Sequence, residues 1–216
     1  MTRQVFLRSK QDEIDNLILS NIKSEGEDDF YKPILDGVVD IESYNNCSPK
    51  ILWVLREFNN VEGEINNLRE VLSNLKTPYG IKAGYGSTYE AVIYISNGII
   101  NNQEYLDISD IKDEPDLVDV LKKIAVINIR KVANFWGTRT HFPTLDKAFL
   151  DYKHIIKKQI EDINPDIIIC GGTSGYIHEL GIKNKLIIQS YHPSAPHCKP
   201  DEYRNKIILQ GRQQYI

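Results

Sequence analysis

Residues 49–57 read Pro49-Lys50-Ile51-Leu52-Trp53-Val54-Leu55-Arg56-Glu57. Five apolar residues in a row, opened by a proline and closed by two charges, offer no polar side to water and are too short for a typical helix. They fit a strand covered on both faces, the pattern of a parallel sheet held between layers of helices. Working outward from it, three more such runs follow: Ile124 to Ile129, Asp166 to Cys170 leading into Gly171-Gly172, and Lys185 to Gln189. Helical spacing fills the intervals. It is carried by Ile65, Leu68, Val71, Leu72 and Leu75, by Ala91, Ile95 and Ile99 behind a Ser87 cap, and by Phe149, Ile155, Ile156 and Ile160 in a helix over 145–163 capped by Thr144. Asn164-Pro165 stops that helix. A short helix to Leu180 and a last one opened by Pro200-Asp201-Glu202 complete the series. Strands alternating with helices predict βαβ crossovers and one three-layer α/β/α domain around a four-stranded, mostly parallel sheet.

That domain is expected over residues 49–216. Residues 1–48 form an entry segment packed on it, in which Leu7, Ile14, Leu17, Ile18 and Ile22 recur at helical spacing until Gly26 and Glu27-Asp28-Asp29 end the pattern. The loop through Pro78, Gly80, Gly84 and Gly86 is longer than most connections and is a candidate functional loop.

Composition narrows the class. With 216 residues, 41% of them hydrophobic and 26% charged, the chain has material for one substantial core. No run approaches the roughly 20 apolar residues of a membrane span, and Met1-Thr2-Arg3-Gln4 lacks the basic-then-apolar opening of a secretory signal, so a cytoplasmic protein without membrane contact is expected. Cys47, Cys170 and Cys198 contain no C-x-x-C pair, which argues against a disulfide scaffold or a zinc ribbon. His197-Cys198 has no second cluster at ligand spacing, and no metal is expected. Residues 1–114 carry 11 Lys and Arg against 20 Asp and Glu, whereas residues 115–216 carry 15 against 10. The basic half suits an anionic partner such as nucleic acid; two solvated surfaces of opposite sign account for the same numbers.

Chemistry gathers at the ends of the apolar runs. The first ends in Arg56-Glu57, the second has Asn128 near its end, and the fourth leads into Tyr191-His192-Pro193-Ser194. In an open α/β sheet this would bring a carboxylate, a carboxamide and an imidazole to the carboxyl edge, where such sheets bind ligands. Phe135, Trp136 and Phe142, interleaved with Arg130, Lys131, Arg139 and His141, would either stack on bases and meet phosphates or pack over the core. Gly171-Gly172-Thr173-Ser174-Gly175 suggests a phosphate cradle, but no Gly-Lys-Ser/Thr follows as a P-loop requires.

Four segments in order resemble the uracil-DNA glycosylase superfamily: Lys50 to Asn59 (KILWVLREFN), Ile124 to Lys131 (IAVINIRK), Asp166 to Gly172 (DIIICGG) and Ser190 to Ala195 (SYHPSA). The resemblance implies a sheet in which the four strands lie in the order second, first, third, fourth. It aligns Glu57 with a water-positioning Asp, flanked by Arg56 and a stacking Phe58, and makes Asn128 the reader of the base. His192 would stabilise the departing base, in a loop continued by Ser194, and no cofactor is implied. The chain departs from that pattern at Leu55, where glycine is usual, at Phe58, where proline is usual, and at Ala195-Pro196-His197-Cys198, where many members carry an apolar wedge.

The chemistry is coherent on its own terms. Breaking an N-glycosidic bond leaves negative charge on the base, so a donor aimed at its carbonyl favours the transition state. A carboxamide offers a donor and an acceptor to the base edge. The leading expectation is a hydrolase that excises uracil or a modified base from DNA. The alternative is a catalytically silent binder of nucleobases, nucleotides or nucleic acid on the same frame. An interaction protein using the acidic amino-terminal half is a third reading, and the sequence sets no oligomeric state.

Overall fold

A computed structural model describes residues 2–23, 32–59, 65–134 and 139–213. Helix α1 (Arg3–Asn21) opens the chain, followed by β1 (Gly37–Val38) and α2 (Ile41–Asn46). The first long strand, β2 (Ile51–Leu55), leads to α3 (Leu68–Ser73), the small hairpin β3 (Lys76–Thr77) and β4 (Gly80–Ile81), and α4 (Gly86–Ile100). Then come β5 (Ala125–Asn128), α5 (Phe142–Ile163), β6 (Ile167–Gly171), α6 (Ser174–Glu179), β7 (Leu186–Ser190) and α7 (Asp201–Arg212).

The main sheet has the order β1-β5-β2-β6-β7. Strand β2 pairs in parallel with β5 on one side and β6 on the other, and β6 pairs in parallel with β7. The expected four-stranded sheet therefore needs correction to a mixed sheet of five. The extra strand, β1, pairs antiparallel with β5, Gly37 opposite Val126 and Val38 opposite Ala125. Two residues carry no periodicity, so nothing in the pattern announced them. Gly37 has φ +137°, a backbone state closed to most side chains, and the Val38 amide is fixed by the Gln11 side chain at 2.9 Å.

Alternation along the strands splits the core into two layers. Ile51, Trp53, Leu55, Val126, Ile167 and Ile169 face one side with α4 and α7; Leu52, Val54, Ile127, Ile168 and Cys170 face the other with α5 and α6. Every residue of β2 is buried, as a central strand between two helical layers requires. The Trp53 indole donates to Ser96 Oγ on α4 at 3.0 Å, so the largest strand side chain is both buried and satisfied. Helix α1 packs on α5 through Ile14, Ile18 and Ile155. Among the described residues no helix is long and apolar enough to cross a membrane.

Three local expectations change. The segment around Pro78 and Gly80 is a hairpin rather than open loop, and Tyr85, not Ser87, precedes α4. Helix α5 begins at Phe142, with Pro143 in its first turn, and Thr144 lies inside it, its hydroxyl 2.7 Å from His141 Nδ1.

Candidate functional site

The parallel strands all end at the same edge, and two glycines let the segments beyond them close together. A Cβ on Gly171 would stand 2.6 Å from Leu55 Cδ2 and 3.1 Å from Pro193 Cδ. On Gly172, whose φ is +73°, it would stand 2.7 Å from Arg56 Nη2. Glycine at both positions admits the Pro193 loop and the Arg56 side chain to the end of β6. There Arg56 Nε donates to Gly172 O at 3.3 Å while its guanidinium lies 5.1 Å from the centre of the half-exposed Phe142 ring.

His192 follows β7 on this edge. Its Nδ1 lies 2.8 Å from Ser194 Oγ and accepts from the Ser194 backbone N–H at 3.4 Å. A backbone amide only donates, so Nδ1 is the acceptor and the proton of the neutral ring sits on Nε2. Burial, helped by the positive charge of Arg56, pulls the imidazole pKa down from 6.5 to about 4. At neutral pH His192 is thus an uncharged ring presenting an Nε2–H donor. Ser194 acts on the histidine, and its hydroxyl is engaged in holding the tautomer.

Asn128 ends β5 directly opposite Leu55 of β2 and is 2% exposed. Its backbone is firmly held, for the Asn128 N–H donates to Asp36 Oδ2 at 2.7 Å. Asp36 itself is fully buried and receives Lys131 Nζ at 2.7 and 2.9 Å and Gln159 Nε2 at 2.9 Å. Burial lowers the Lys131 pKa and the Asp36 carboxylate opposes that shift. The network ties the segment before β1, the end of β5 and α5 into one unit.

Glu57 lies just beyond β2 with its side chain 5% exposed. Its Oε2 is 3.4 Å from Arg130 Nη1, and among the described residues its buried Oε1 has no hydrogen-bond partner. Arg130 also donates to Ala133 O at 3.1 Å. The segments after β2 and β5 run side by side, Ile129 N–H to Leu55 O and Arg130 N–H to Arg56 O, both at 2.9 Å, which sets the two side chains against each other. The cation beside Glu57 is thus Arg130, 73 residues further along the chain. Phe58 is 8% exposed and belongs to the α4-side core, so its ring is committed to packing.

The edge therefore gathers Arg56, Glu57, Asn128, His192 and Ser194, with Phe58 behind them. Sequence reasoning missed Asp36, and it offered Arg130 and Lys131 to phosphates, whereas both are buried and held by Glu57 and Asp36. A lone charge in the run Ile34-Leu35-Asp36-Gly37-Val38 was the available sign of a buried carboxylate. Of the aromatic loop, Phe142 is on the edge, whereas Phe135 and Trp136 lie outside the described residues. Among the described residues no group of three His, Cys, Asp or Glu side chains is arranged to hold a metal ion. No protein-family model matches the chain, and no curated protein matches it.

Proposed function

We propose that this chain is a DNA glycosylase-like hydrolase that releases uracil or a modified base by cleaving the N-glycosidic bond. The observation that carries the proposal is His192, whose Nδ1 accepts from the Ser194 N–H so that its own proton is directed to Nε2, on the same sheet edge as the buried Asn128 that ends β5. The order of the four parallel strands is the one that the uracil-DNA glycosylase resemblance implies, which supports the same reading.

In this mechanism the Asn128 amide reads the Watson–Crick edge of an extruded base with one donor and one acceptor. As the C1′–N bond breaks, its electron pair leaves with the base, and the His192 Nε2–H bonds to the base carbonyl where negative charge accumulates. A neutral donor is suited to that duty because it stabilises the anion without needing a proton transfer first. Water held by Glu57 adds to C1′, and its proton passes to the carboxylate. Incubation with uracil-containing single- and double-stranded oligonucleotides tests the proposal: abasic sites are expected in at least one, and their absence from both at enzyme excess contradicts it.

One observation favours the silent binder as a second reading. Arg130 places a buried cation 3.4 Å from Glu57 Oε2, so one carboxylate oxygen is already engaged by protein rather than by water. Binding of a base or nucleotide that is lost in Asn128→Ala, with no cleavage by the wild type, would select this reading. Cleavage lost in His192→Ala would exclude it.

A further inference from the structure

Strand β7 is the free edge of the sheet, and a groove of about 880 Å³ runs along it between α6 and α7. It starts beside the candidate site, at Gly172 and Tyr191, and continues past Gln189, Tyr203, Lys206 and Gln210. Among the described residues none that lines it is Asp or Glu, in a chain that has 30 of them. At its mouth the Tyr191 ring, 52% exposed, lies 5.0 Å from the His197 ring and 5.4 Å from the Tyr203 ring, centre to centre. The Leu186 N–H turns inward to Asp166 O, so alternation turns the main-chain groups of Ile187 and Gln189 toward the groove.

We infer that this groove binds the nucleotides flanking the reacting one, so that the substrate is a single strand. The inference rests on the nucleic-acid reading of the neighbouring edge. Its chemistry is that of single-strand tracks: an exposed aromatic platform for a base, a lysine with amide and hydroxyl donors for phosphates, and no carboxylate to repel them. The groove is continuous with Gly172, which touches Arg56, so a chain whose base enters the site leaves along β7. An extended peptide adding to the strand edge is the competing occupant. It would use the same main-chain groups but gives the exposed Tyr191 and the absence of acidic residues no particular role.

Fluorescence anisotropy with a labelled 15-nucleotide single strand and its duplex tests the inference, using Tyr191→Ala, Lys206→Gln and Gln210→Glu. The wild type should bind the single strand at least tenfold more tightly than the duplex. Loss of one stacked base should cost Tyr191→Ala roughly 5- to 150-fold. Lys206→Gln should lower the slope of log K against log salt by about 0.7. If the wild type makes no abasic sites yet these variants lose single-strand binding, the groove assignment stands and the glycosylase reading falls. If excision proceeds while Lys206→Gln and Gln210→Glu bind single strands as the wild type does, or the duplex binds better, the assignment is overturned. The groove is then left to a peptide strand.

Discussion

Replacing Asp36 by alanine should be among the most damaging single changes outside the site. The carboxylate is fully buried and receives Lys131, Gln159 and the Asn128 amide, all within 2.9 Å. Among the described residues its removal leaves the Lys131 ammonium, also fully buried, with only Gln159 Oε1 at 2.8 Å. Breaking a buried pair from one side costs about 3–5 kcal/mol, because the surviving charge is stranded. With an unfolding entropy near 2.1 cal/mol/K per residue, the 216-residue chain should lose about 7–11 °C in Tm. The double variant Asp36→Ala/Lys131→Met should regain at least half of that loss, since the stranded charge is gone although the Asn128 N–H remains unpaired. Differential scanning calorimetry at pH 7 measures both. A Tm loss below about 2 °C for Asp36→Ala, or a double variant less stable than the single one, would refute the assignment of a tightly coupled buried pair.

Other predictions follow from single contacts. The His192 resonances should titrate near pH 4 by NMR, with Nε2 protonated above that pH; a midpoint near 6.5 would contradict the burial described. Because this pKa lies below the unfolded value of 6.5, the unfolded chain binds the extra proton first. The stabilisation from His192 is therefore complete above about pH 6.5 and disappears as pH falls to about 4, a loss that urea titrations of His192→Asn should not show. Gly172→Ala should cost about 1–2 kcal/mol for its left-handed backbone and push Arg56 aside, which should raise the His192 pKa; an unchanged titration would refute the Arg56 contact. Cys47, Cys170 and Cys198 are buried, with the Cys170 thiol pushed up to about 12, so none should react with a thiol reagent at pH 8 until the protein unfolds.

Three of the parallel strands were legible because β2, β5 and β6 bury both faces: Ile51 to Leu55 and Ile167 to Ile169 admit no polar residue, in runs too short for a typical helix. The placement of Asn128 and His192 at one edge followed from their positions at the ends of such runs. What the sequence withheld was set by contacts remote along the chain. Strand β1 exists because Gln11 and β5 satisfy its backbone, and Lys131 is charged in the core because Asp36, 95 residues earlier, meets it. Glu57 finds Arg130 across 73 residues, although Arg56 is its neighbour, because adjacent side chains beyond a strand point to opposite sides. The start of α5 was misplaced for a local reason: Pro143 is a good first-turn residue, so the helix begins a residue before it and not at the hydroxyl that follows.

The most direct test is the single-turnover rate of base release from a uracil-containing single strand, comparing the wild type with His192→Ala. Loss of one donor to a developing anion should slow release by about 10²- to 10³-fold while binding of the strand persists. Equal rates for the two proteins would contradict the account, because the neutral imidazole would then have no part in the chemistry of this edge.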